Sequence, residues 1–158
     1  MVRKQDWSPR EPAWKREIED AERAYLKWMQ HHGITMSSGQ VDSNPNLADP
    51  DSDWARDASH WRIVFRRDRT PKSFSVYYSM GSAHTGPPDA PGVLDSMRSD
   101  AGSFDDAGTF EDWARSMGLD ADSRKAEAIW KHVKAQTERL KRFLGDEIYR
   151  EFENLPGL

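Results

Sequence analysis

Asp120 and Asp122 stand one residue apart beside Ser123, Arg124 and Lys125, directly before an apolar-periodic run. Paired oxygen ligands at this spacing are what a hard cation takes, but a Ca²⁺ loop needs further oxygens at fixed intervals and a closing bidentate Glu. Arg124 and Lys125 occupy positions where such a loop would gather negative charge. Helix capping accounts for both acids without a ligand. A side-chain oxygen of Asp122 can accept from the unpaired N–H groups of a first helical turn, and Asp120 adds negative charge near the positive end of the helix dipole. A second acidic stretch, D-P-D-S-D-W at 49–54, sets Asp49, Asp51 and Asp53 at the first, third and fifth places of an EF-hand loop. Trp54 then falls where that loop needs Gly and His60 where it needs Glu, so the stretch reads as a solvated acidic loop. No metal site is assigned.

Histidine offers one further centre. His31 and His32 close the first helical run, where the dipole favours an imidazolium, and no H-x-x-x-H spacing occurs. His84 lies in M-G-S-A-H-T-G-P-P with Ser82 and Thr85 nearby, a setting in which a general base could stand exposed. A small hydrolase or nuclease on this base would need carboxylates from Glu111, Asp120 or Asp122 to converge on it. The chain has no G-x-S-x-G elbow, no phosphate-binding G-x-x-x-x-G-K-[ST] and no G-x-G-x-x-G. His84 therefore reads as a turn residue, no catalytic residue or cofactor is assigned, and the balance leans away from an enzyme.

A different chemistry gathers at 60–78. Arg62, Arg66, Arg67, Arg69 and Lys72 cluster there, with Tyr77 and Tyr78 close by. Cations that meet phosphates and rings that stack on bases are the parts of a single-stranded nucleic-acid surface. The acidic segments on either side would repel a polyanion, and basic side chains also protect sheet edges from unwanted pairing.

These residues must be held by a modest core. The chain has 158 residues, of which 36% are hydrophobic and 32% charged, a polar balance that seven Trp, six Phe and four Tyr offset with large buried areas. That length suits one domain around one aromatic-rich core. Cysteine is absent, which excludes disulfides, thiolate zinc sites and a Cys nucleophile. No apolar stretch approaches the length of a membrane span, and no apolar segment follows the basic residues of the first turn of sequence, so a soluble protein that binds no membrane is expected. The net charge of −4 hides blocks: −4 over 34–59, +4 over 60–72, −6 over 89–121 and +4 over 122–144, counted from Asp, Glu, Lys and Arg in each block.

Periodicity places the elements. Trp14, Ile18, Ala21, Tyr25 and Trp28 step by four and three between Pro12 and Gly33, which predicts an amphipathic helix over 12–32. Residues 34–59 read as a long acidic loop, with G-I-T-M a weak candidate strand. Period two then sets Trp61, Ile63 and Phe65, and later Phe74, Val76, Tyr78 and Met80, on one face of a hairpin over 61–80, turning at R-D-R-T-P-K. Helices follow over 91–155: V-L-D-S-M-R-S-D-A, T-F-E-D-W-A-R-S-M-G with Thr109 as cap and Gly118 as stop, a long helix from Ser123 to Leu144, and D-E-I-Y-R-E-F-E-N-L before Pro156. The seam of the long helix matches that of the first, which predicts antiparallel packing of the two. The fold class is α+β, an antiparallel hairpin or small sheet packed against a mainly helical bundle.

Phe110, Glu111, Asp112, Trp113, Gly118, Asp120, Asp122, Ser123, Arg124, Lys125 and Ala126 carry an F-E-D-W…G-x-D-x-D-S-R-K-A order. Over about residues 61–145 the chain resembles a group of small uncharacterised proteins of bacteriophages and prophages, notably those of actinobacteria. The resemblance implies a setting, the cytoplasm of a host cell, and no reaction. On these grounds we expect a non-catalytic phage or mobile-element accessory protein that binds a host or phage protein, a component of host defence among the targets. A single-stranded nucleic-acid binder using the basic hairpin is the alternative. Arg66, Arg69, Lys72, Tyr78, His84, Trp113, Asp120, Asp122 and Arg124 are the candidate binding residues.

Overall fold

The computed structural model describes residues 12–47, 49–82 and 86–158. Among the described residues six helices and a three-stranded antiparallel sheet follow one another as α1 (Ala13–His31), β1 (Ile34–Val41), α2 (Asp53–Asp57), β2 (Ser59–Arg67), β3 (Ser73–Met80), α3 (Ala90–Ala107), α4 (Phe110–Ser116), α5 (Arg124–Leu144) and α6 (Asp146–Glu153). The fold is α+β, and the sheet runs β1-β2-β3 as a meander.

The expected loop at 34–59 is corrected at both ends, because β1 pairs with β2 from Ile34↔Arg67 to Val41↔His60 and α2 forms over 53–57. Ser37, Ser38, Gly39 and Gln40 are exposed in succession, so the strand lacks the alternation that burial of one face would write into it. Ser52 caps α2 by accepting from the Ala55 N–H.

Ile63 and Phe65 of β2 meet Phe74 and Val76 of β3 on one face, buried beneath the helices. That face joins Tyr25 and Trp28 of α1, Val93, Leu94 and Met97 of α3, Leu140 and Phe143 of α5 and Phe152 of α6 in the main core. A second cluster sets Trp113 and Ala114 against Val133, with Phe104, Phe110 and Trp130 around them. The buried apolar residues thus fall into two groups, where the sequence reads as one core.

The match between the seams of α1 and α5 does not bring those helices together. α3 is longer than its apolar stretch suggests and is the partner of both. Tyr25 of α1 donates to Asp95 of α3 and accepts from Arg98, and Gln136 of α5 reaches Asp100 of α3. α4 ends as expected: the Leu119 N–H returns to the Ala114 carbonyl and the Gly118 N–H to that of Arg115, with Gly118 at φ 69°.

Candidate nucleic-acid interface

Alternation along a strand puts Arg62 and Arg66 on the face opposite Ile63 and Phe65. In register with them stand Gly39 and Thr35 of β1 and Tyr77 and Ser73 of β3. Ser37, Val64 and Ser75 fill the row between. None of these positions is acidic, and Arg62 and Arg66 are exposed with no ion pair among the described residues. Tyr77 is half-buried directly opposite Arg62. The result is a sheet face that none of the described helices covers, with cations, hydroxyls and one ring.

This face continues around the outer edge of β3. There a cleft of about 330 Å³ is lined by Lys72, Ser73, Phe74, Ser75, Arg139, Arg142 and Phe143, again without a carboxylate. Arg139 donates to the Ser75 carbonyl at 3.4 Å and lies 5.5 Å from the centre of the Phe74 ring. Lys72 Nζ donates to the Arg142 carbonyl at 3.3 Å. The Arg142 guanidinium has no partner among the described residues and opens to solvent. Arg66 is in register with Ser73, so the open face and the cleft share a border.

The basic cluster of the hairpin is therefore divided in use. Arg67, on the buried side of β2, donates through Nη1 to the carbonyls of Phe143 at 3.2 Å and Leu144 at 3.4 Å. With Lys72 it satisfies carbonyls that the last turn of α5 cannot pair within the helix. Arg69 sits exposed in the turn at φ 62°.

Several candidate residues fall elsewhere. Tyr78 lies on the core side of β3, opposite Trp61 and half-buried against the main core, so it faces away from Arg62 and Arg66. Burial, with the charges of Asp89 and Asp95, pushes its phenol up from the ordinary value. Period two already grouped Tyr78 with Phe74 and Val76, which leaves Tyr77 as the ring on the open side. Trp113 is fully buried and donates to Ser103 Oγ at 3.3 Å, so it is a core residue and not a contact for a ligand. His84 lies outside the described residues.

The Asp120-to-Lys125 stretch is a helix start, with its parts reassigned. Ser123, not Asp122, caps α5 by accepting from the Ala126 N–H at 3.1 Å. Asp120 Oδ1 accepts from the Asp122 N–H at 3.0 Å, a local Asx turn, and the Ser123 hydroxyl also donates to the Asp120 carbonyl at 2.7 Å. Asp122 and Arg124 are exposed. Lys125 pairs with Asp49 at 2.7 Å, which ties the segment before α2 to α5. Among the described residues no group of three or more His, Asp or Glu side chains is placed to hold a metal.

Sequence reasoning missed a buried polar network at the far end of the sheet. His60 is 6% exposed, with Nδ1 2.7 Å from Ser79 Oγ and Nε2 2.7 Å from the Ala55 carbonyl. Asn44 donates to the same Ser79 oxygen at 3.0 Å. The carbonyl fixes a proton on Nε2, and in the neutral ring Nδ1 then accepts from Ser79. This arrangement ties Asn44 and Ala55, within the 42–58 segment, to β2 and β3. Its only advance signal was the adjacency of His60 to an apolar alternation.

No protein-family model, curated protein or solved structure matches the chain. Among the described residues no helix is long and apolar enough to cross a membrane.

Proposed function

We propose that this chain is a non-catalytic binding module whose open sheet face and adjoining cleft take an extended polyanion, single-stranded nucleic acid. The observation that carries the reading is a run of positions without a carboxylate, in which Arg62 stands opposite Tyr77, Arg66 borders a row of hydroxyls, and Arg139 and Arg142 line the adjoining cleft. Guanidinium groups there meet phosphates, and Tyr77 offers an edge and part of a face for a base. The acidic net charge lies mainly on other segments, so the field over this surface is local and its binding sensitive to salt. Anisotropy of a labelled single-stranded oligonucleotide tests the reading, with Arg66→Ala and Arg142→Ala each weakening binding. No binding at low salt overturns it.

A specific observation favours a second reading, in which the module binds a protein. Trp54 is 50% exposed on α2 and flanked by exposed Asp51, Asp53 and Asp57. An exposed indole within an acidic patch is a hot-spot arrangement for a basic partner. Such a partner, in the bacteriophage setting that the resemblance implies, would be lost on Trp54→Ala and retained on Arg66→Ala.

A further inference from the structure

The two edges of the sheet are treated differently. The edge of β3 is bordered by α5, whose Arg139 hydrogen bonds the Ser75 carbonyl, and is lined by the cations Lys72 and Arg142. Among the described residues, the edge of β1 carries none of the devices that keep strands from pairing. Its eight residues, I-T-M-S-S-G-Q-V, include no charge and no proline, and the ladder to β2 runs from Ile34 to Val41 without a bulge. Among the described residues no hydrogen bond reaches the outward backbone groups of residues 35–41.

We infer that β1 pairs antiparallel with β1 of a second copy of this chain, joining two three-stranded sheets into one of six strands. The inference rests on the edge alone and is independent of what the open face binds. Two observations select a second copy over a foreign strand. First, an uncharged strand opposes its own copy without placing like charges together, and gives a charged peptide no group to recognise. Second, the helices cover only the first half of β1: Ile34 is buried and Met36 half-buried, whereas Ser38 and Gln40 on the same face are exposed. A two-fold axis normal to the sheet at Ser38 sets Met36 opposite Gln40 of the copy and keeps each side chain on its own face. The covered half of each strand then lies beside the bare half of the other, and the helical layers do not compete for the same space.

Sedimentation equilibrium with substitutions at Ser38 tests this. The wild type is expected at twice the chain mass in the micromolar range. Ser38→Lys and Ser38→Glu, each confirmed as folded by circular dichroism, bring like charges to the axis and are expected at the mass of a single chain. An equimolar mixture of the two variants is expected to recover the double mass, and to lose it in high salt. A wild type that stays at the single mass overturns the inference. So does a Ser38→Lys variant that remains double, or a mixture of folded variants that fails to associate.

Discussion

Arg67 Nη1 lies 3.2 Å from the Phe143 carbonyl, while its neighbour Arg66 projects from the opposite face of β2 with no partner among the described residues. Two adjacent arginines thus face different surroundings, one closing α5 and the other open to solvent. Arg67→Ala leaves the last carbonyls of α5 without their donor and costs roughly 1–3 kcal/mol of stability, read from urea unfolding. Arg66→Ala changes stability by no more than about 0.5 kcal/mol, as surface substitutions do. Equal losses from both would contradict this division.

Trp113 belongs to the second core cluster with Phe110 and Trp130, at ring separations of 6.3 and 5.3 Å. Truncating it to Ala removes a fully buried indole and costs about 3–5 kcal/mol. Trp113→Phe retains most of the packing and is milder. In a folded Trp113→Phe variant, affinity for the oligonucleotide stays at the wild-type value, because the residue does not reach the open face.

The network of His60, Ser79 and Asn44 predicts a cost from a small change. Ser79→Ala removes one oxygen and strands both His60 Nδ1 and Asn44 Nδ2 where water is largely excluded, for a loss of roughly 1–3 kcal/mol. Proteolysis should then cut first within 42–58, the segment this network pins. Unchanged protection there would mean that the Lys125–Asp49 pair alone holds it.

Asp100, between α3 and α5, has its carboxyl raised by burial, a shift that the hydrogen bond from Gln136 opposes without cancelling. The folded state therefore binds this proton more tightly than the unfolded chain does. Its contribution to stability is fully present below the unfolded carboxyl value and is lost as pH rises through the raised folded value. At neutral pH the ionised group is a burden, and Asp100→Asn should raise the melting temperature there. The advantage should vanish at acid pH, where the native carboxyl is already protonated.

Much of this architecture was legible because burial writes itself into spacing. Phe74, Val76 and Tyr78 declared one strand face, and Thr109 and Gly118 bracketed α4 as a cap and a left-handed stop should. The first half of α1 misled, since Trp14 and Ile18 continue the apolar stripe yet are exposed, 63% and 38%. β1 was illegible beyond its first residues because residues 37–40, held by one ladder and exposed on both faces, need no alternation. Of the candidate site, Arg66 could be read from period two alone. Arg139 and Arg142 could not, because they reach the hairpin only when α5 crosses the edge of β3.

Salt titration of oligonucleotide affinity, wild type against Arg66→Ala, is the most direct test of the open face as a polyanion site. The account predicts that affinity falls linearly on logarithmic axes as salt rises, and that Arg66→Ala binds more weakly with a slope smaller by about one. An affinity that does not respond to salt, or identical slopes for the two proteins, would contradict it.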